Sequence, residues 1–302
     1  MNSFKKIISK IKRDALPQVA VAVAEDEEVL IAVQNALEKG FARFHLFGDE
    51  SKIRQLAEKS MIPLDQVKIT DERDHVKASL KAVNSVNTGE SQILMKGLVP
   101  TPIILKAVLD KEIGLRTHRI LSHIALFEVE GLDRLIFLTD AAMNISPSLE
   151  QKVQITQNAI DFARIIGLTE PKVAVLTALE TVNPNMIATL DAALLSKMAE
   201  RGQISGGIVD GPLALDNAIS LEAAMHKGIK SKIAGQADIL LVPNIEVGNT
   251  LYKSLVYFGK VKVGAVITGA KSPIVLTSRA DSFETKLNSI ALAVLLSQQA
   301  NI

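Results

Sequence analysis

The chain has 302 residues and no cysteine. That absence excludes disulfides, thiolate metal sites and a protein thiol nucleophile. Any thiol chemistry here must use a thiol carried by a bound molecule. Lack of cysteine also fits a reducing compartment, and a cytoplasmic, soluble protein is expected. Charge of either sign is not in excess. The formal net charge is +1, so no global field selects nucleic acid or an anionic membrane, and only local basic clefts remain. No apolar run approaches the roughly 18–20 residues needed to span a bilayer. Arg279, Asp281, Glu284 and Lys286 interrupt the C-terminal stretch before its last apolar segment.

Several motifs are also missing. No G-x-G-x-x-G follows a strand pattern, so the dinucleotide fingerprint is absent. No G-x-S-x-G elbow marks a serine hydrolase. His45, His75, His118, His123 and His226 form no helical i, i+4 pair around an acid, which argues against a zinc protease. Residues 264–269 nearly spell a phosphate-binding P-loop, but Ala270 displaces Lys271 by one position. Asn144-Ile145-Ser146 matches a glycosylation triplet, which means little without a secretion signal. The N-terminal MNSFKKIISKIKRDALP is basic, with Phe4, Ile7, Ile8 and Ile11 on one helical face. It has no run of consecutive apolar residues like a signal-peptide core. It therefore reads as a surface helix packed on its domain, the other uses being targeting or lying on a membrane.

What is present is apolar material: 48% hydrophobic and 22% charged residues. That is enough for full-sized cores, and a soft prior of about 150 residues per domain suggests two. Short β-branched runs alternate with helical patterns. A strand is expected at 19–23, then a helix capped by Asp26 and closed at Gly40. A strand at 41–47 and a helix opening at Gly48-Asp49 complete a βαβ unit, hence a parallel sheet. Further strands are expected at 93–95, 120–128 and 135–139, the last two as a hairpin through Gly131, which makes the sheet mixed. Ser148 with Gln151 forms a capping box for a helix closed by Gly167. The second half repeats the alternation. Strands are expected at 173–176, 208–210, 239–242, 264–267 and 274–276. Helices are expected after Asn183-Pro184, at 217–227, 249–258 and 286–297. The expected fold is therefore α/β with mostly parallel sheets. The first domain comprises 1–145 plus 280–302 and is discontinuous; the second comprises 146–279.

Three strand-to-helix junctions in the second half carry candidate chemistry, because ligands settle at the carboxyl ends of strands in open α/β sheets. In 243–249, a helix beginning near Asn249 would present free amides to an anion, and Gly248 would admit the anion to the backbone. In 277–282, the Arg279 fork and the Ser278 hydroxyl can grip a phosphate. In 210–216, Asp210 and Asp216 bracket a turn. Each segment also reads as an ordinary turn with a helix cap.

Taken together, VDGPLALDNAIS, KIAGQADILLVPNIEVGNTLYKSL and GAKSPIVLTSRADS resemble the phosphate acetyl/butyryltransferase family. So do LMKGLVPTPIILKAVLDKEIGLR and SHIALFEVEGLDRLIFLTDAAMNISPSLEQKVQITQNA in the first half. The resemblance covers nearly the whole chain and is closer to the butyryl-transferring branch than to the acetyl-specific one. It implies reversible transfer of an acyl group between acyl phosphate and coenzyme A. It also implies an isocitrate-dehydrogenase-like fold with an interdomain cleft, a homodimer or higher homo-oligomer, and no metal in the chemistry. Coenzyme A enters as substrate, and the partners are small molecules, not nucleic acid or membrane.

Carried over by residue, Ser278 and Arg279 match the family's phosphate-binding pair. Acetyl-transferring relatives place an aspartate base six residues after that arginine, where this chain has Thr285. Glu284, then Asp281, are the nearest acids that could substitute. Lys96-Gly97 stands where acetyl relatives tend to show Ser-Gly, so Lys96 contacts phosphate or the coenzyme A pyrophosphate, or is a surface lysine. Thr101, after Pro100, and Asn144, with Asp140 at a strand end, complete the candidate substrate contacts or cap their segments. Two other classes stand beside this reading. One is a nicotinamide-dependent decarboxylating dehydrogenase, which would need an aspartate cluster beside Tyr252 or Tyr257. The other is a non-catalytic acyl-CoA sensor, which Thr285 favours and the Ser278-Arg279 pair opposes.

Overall fold

The computed structural model describes residues 2–278 and 281–299. The first helix, α1 (Phe4–Ile8), buries Phe4 and Ile7, with Ile11 buried just beyond it. Strand β1 (Gln18–Ala22) leads to α2 (Glu27–Glu38), whose N-cap Asp26 accepts a hydrogen bond from the Val29 amide at 2.9 Å. After β2 (Arg43–Gly48), Asp49 caps α3 (Glu50–Lys59). Then come β3 (Lys68–Asp71) and α4 (His75–Asn87), neither of which was anticipated in the sequence pattern. Strand β4 (Ile93–Lys96) and α5 (Thr101–Val108) follow. Strands β5 (Ser122–Val129) and β6 (Ile136–Thr139) form the expected antiparallel hairpin.

The capping box at Ser148 and Gln151 starts α6 (Leu149–Ile166), and left-handed Gly167 ends it. Strand β7 (Lys172–Leu176) precedes α7 (Ile187–Glu200). Asn183 does not cap α7. Its side chain accepts from the Asn185 amide in a local turn, and the helix starts four residues later. Residues 208–213 continue as one strand, β8 (Ile208–Leu213), where a turn was expected. The helix expected over 217–227 is two short ones, α8 (Leu215–Ile219) and α9 (Leu221–His226). The remaining elements are β9 (Ile239–Leu241), α10 (Ile245–Phe258), β10 (Val261–Thr268), β11 (Ile274–Val275) and α11 (Phe283–Gln299).

The chain groups into two compact units. One holds Lys5–Arg119 and the chain from Gly264 onward; the other holds Ile120–Val263 and the first few residues. The change-overs read from sequence were 145/146 and 279/280, whereas the units part at 119/120 and 263/264. The hairpin goes with the later unit because β6 pairs in parallel with β9. Strand β11 goes with the earlier one because it pairs in parallel with β4. In the earlier unit the strand order is β3-β2-β1-β4-β11-β10, parallel except for the β10–β11 pair. In the later unit it is β5-β6-β9-β7-β8, parallel except for the hairpin.

Helix α11 is buried almost all round, from Lys286 to Ser297, and packs on α2, β11 and β4. Each fully buried aliphatic side chain in such a helix contributes about 1.5–3 kcal/mol. Among the described residues, no helix is long and apolar enough to cross a membrane.

Candidate active site

In the earlier unit, β1, β4 and β11 run parallel side by side, with Ala22 opposite Lys96 and Met95 opposite Val275. Their carboxyl ends therefore open on one edge of the sheet. The loops leaving that edge are braced on each other. Gly97 donates its amide to the Ala22 carbonyl at 2.9 Å, and Leu98 donates to Val23 at 2.6 Å. A Cβ on Gly97 would lie 2.1 Å from the Val23 oxygen, so only glycine permits the approach. Val23 is itself held at φ 59°, a conformation costly for a β-branched residue.

Lys96 closes β4 and is 6% exposed, which rules out a surface lysine. Its ammonium donates to the carbonyls of Gly97 at 3.2 Å and Val99 at 3.3 Å. Thr101, half-buried, begins α5 behind Pro100, which provides no side-chain cap. From β11 the chain passes through buried Thr277 and surfaces at Ser278. The Ser278 amide donates to Asp281 Oδ2 at 2.7 Å, and the Asp281 amide returns a bond to the Ser278 carbonyl at 3.2 Å. Arg279, expected to grip the phosphate, lies outside the described residues. Glu284 is exposed in the first turn of α11. Thr285, at the position where acetyl-transferring relatives would put a base, approaches Ser282 hydroxyl to hydroxyl at 3.3 Å. Lys96, Thr101 and Ser278 thus share one sheet edge, with Glu284 on the helix that follows.

The other candidates lie in the later unit, around the loop after β6. Asn144 donates its side-chain amide to Asp140 Oδ2 at 2.6 Å and to the Leu121 carbonyl at 2.9 Å. Asp140 is buried and accepts from the amides of Ala142 and Met143, both at 2.9 Å. Helix α10 starts at Ile245, capped by Asn244, whose side chain accepts from the Val247 amide at 3.0 Å. Asn249 therefore sits in the second turn, not at the helix start, and its side chain reaches the Ala141 carbonyl at 3.3 Å. Gly248 does not open the backbone to an anion. A Cβ there would meet the Asp140 oxygen at 2.6 Å and the Ala141 Cα at 2.9 Å, so the glycine lets α10 pack on that loop. The acids of 210–216 are engaged as well. Asp210 accepts from the Ser196 hydroxyl, and Asp216 pairs with Lys227 at 3.1 Å.

Two buried charges on the earlier unit's edge were not singled out from sequence. Glu25 follows β1, is 6% exposed, and accepts from the Asp49 amide at 2.6 Å while pairing with His75 at 3.0 Å. Its signal was an acid ending the apolar run VAVAVA. Lys286 is 2% exposed and donates to the Asp281 carbonyl. Its signal was a lone cation heading the run LNSIALAVLL. Among the described residues, no group of three or more His, Cys, Asp or Glu could hold a metal ion.

Comparison with known proteins places this geometry in a lineage. Over 98% of both chains, the sequence is 52% identical to the phosphate butyryltransferase of Clostridium acetobutylicum. The crystal structure of a branched-chain phosphotransacylase from Enterococcus faecalis V583 superposes with a TM-score of 0.83 at 38% identity, over 93% of this chain and 99% of that one. A 4-hydroxythreonine-4-phosphate dehydrogenase from Klebsiella pneumoniae shares the fold alone, with a TM-score of 0.57 at 12% identity over 94% of this chain and 100% of that one. The family model for phosphate acetyl/butaryl transferase matches residues 3–78 and 72–294, and the chain belongs to that family.

Proposed function

We propose that this chain transfers a short-chain acyl group, butyryl first among them, reversibly between coenzyme A and inorganic phosphate. The observation that carries the reading is the 52% identity to a butyryltransferase over 98% of both chains, joined to a Ser278-Arg279 pair in the sequence whose serine is exposed just beyond buried β11. In the direction of acyl-CoA formation, the thiol gives its proton to a base and its sulfur attacks the acyl carbon. The bond from that carbon to the phosphate oxygen then breaks. Ser278 and Arg279 hold the departing phosphate, and a guanidinium fork lowers the cost of its charge. Lys96 and Thr101 add to the anionic end of the site at the same sheet edge. No acyl-enzyme intermediate is required, in keeping with a chain that has no cysteine.

Glu284 is the base in this scheme. It is exposed in the first turn of α11, whereas Asp281 already accepts the Ser278 amide. Glu284→Gln is expected to lower kcat by about 100-fold, the scale of one positioned acid–base group; an unchanged kcat removes Glu284 from the mechanism. The overall reading is tested by following free thiol release from acetyl-, propionyl-, butyryl- and branched acyl-CoA with phosphate. Butyryl-CoA is expected to react fastest. Absence of phosphate-dependent thiol release from all four overturns the reading. Thr285 favours a second one, an acyl-CoA sensor, which coenzyme A binding without turnover would support.

The active form in this proposal is a homodimer. Its support is a set of exposed apolar side chains on the later unit: Ile187 at 72%, Tyr257 at 73% and Phe258 at 91%. Light scattering behind size exclusion is expected to give twice the chain mass, and a monomer at assay concentrations contradicts it.

A further inference from the structure

Lys286 breaks two local rules at once. An ammonium is disfavoured in the first turn of a helix, where the macrodipole is positive. Burying it costs further free energy unless it is satisfied locally. Yet Lys286 stands one turn into α11, with Ser282 capping that turn, and is 2% exposed. The residues after it, Leu287 to Leu296, are buried helix interior, where an aliphatic side chain would fit the pattern better. Such violations are expected where function outweighs stability.

The structure shows what the ammonium holds. It donates to the Asp281 carbonyl. Asp281 in turn is tied to Ser278 twice, accepting the Ser278 amide through Oδ2 at 2.7 Å and donating its own amide to the Ser278 carbonyl at 3.2 Å. The chain of contacts runs from a rigid buried helix, through one carbonyl, to the serine that surfaces at the end of β11. We infer that Lys286 is a positioning residue for phosphate recognition: it holds Asp281, and through Asp281 the backbone of Ser278, so that Ser278 is presented to the phosphate in a fixed orientation. The inference rests on the acyl-transfer reading for its phosphate but not for its structural content.

The two parts are tested separately. Lys286→Met keeps the stem and removes the charge. Hydrogen exchange of the Ser278 and Asp281 amides is expected to quicken by about tenfold or more on loss of a charge-assisted hydrogen bond. In steady-state assays the KM for phosphate is expected to rise by a similar factor, while the KM for butyryl-CoA moves by less than about twofold. In Lys286→Ala, added ethylammonium is expected to restore part of the phosphate KM. A merely structural lysine would move both KM values together and would not be rescued at the phosphate end. Unchanged exchange at Ser278 and Asp281 overturns the pinning. Changed exchange with an unchanged phosphate KM overturns the role in recognition. If Lys286→Ala does not fold, Lys286→Met and Lys286→Gln carry the same comparison. If the wild-type chain shows no phosphate-dependent turnover, the acyl-transfer reading and the recognition role fail together, and amide exchange still decides the pinning.

Discussion

A methyl group on Gly97 would sit 2.1 Å from the carbonyl oxygen of Val23, closer than any packed atoms allow. Gly97→Ala must therefore push apart the loops leaving β1 and β4, at a cost of about 1–3 kcal/mol by the usual scale for overpacking. Thermal unfolding is expected to show a lowered Tm. His45 gives a different kind of residue-scale prediction. Its ring is buried, with Nε2 2.7 Å from the Thr70 hydroxyl. Burial, with help from Lys68, lowers its pKa from 6.5 against an opposing pull from Glu90. The folded state thus binds the proton less readily than the unfolded chain. The stability of the neutral ring is fully present above pH 6.5 and is lost as pH falls from there toward the lowered folded value. Denaturant midpoints measured from pH 7.5 to 5 are expected to fall in the wild type and to fall less in His45→Gln.

At the scale of elements, side-chain caps made much of the fold legible. Asp26, Asp49 and Ser148 each start the helix their spacing announced, because an acceptor three residues ahead of an apolar stripe has one obvious use. The errors have the same source. Asn183 satisfies the Asn185 amide without starting a helix, and Asn249 resembles a cap because the true one, Asn244, comes before a weakly patterned first turn. Asn244→Ala is accordingly expected to cost about 1 kcal/mol, while Asn249→Ala costs less; urea midpoints of the two variants make the comparison. Strand β3 escaped notice because, at the edge of its sheet, its residues Lys68–Asp71 are exposed or half-exposed and show no buried alternation. The candidate site was legible as residue types at strand ends. Its supporting contacts were not: Gly248 reads as an anion seat until the Asp140 carbonyl is found in the space a side chain would need. No spacing rule announces that Lys286 reaches back to Asp281.

For the whole molecule, the decisive pairing is β11 with β4, together with α11 packed on α2. A chain ending after residue 263 is expected to lose protease resistance across Lys5–Arg119, while Ile120–Val263 retains it. Limited proteolysis read by mass spectrometry distinguishes the two. The alternation of strands and helices announced an α/β fold. The position of the unit boundary was not readable, because it depends on which distant strand completes which sheet.

That arrangement has a consequence for biosynthesis. Emerging from the ribosome, Lys5–Arg119 carries β4 with one hydrogen-bonding edge vacant until β11 is translated. An unpaired edge of this kind is a template for wrong partners. The middle segment, though made later, can finish folding first. Lys5–Arg119 must wait, sheltered by chaperones or by speed, for β11 and α11 to arrive. Translation stopped before β11 would therefore release a chain whose Ile120–Val263 part is folded and whose Lys5–Arg119 part is sticky.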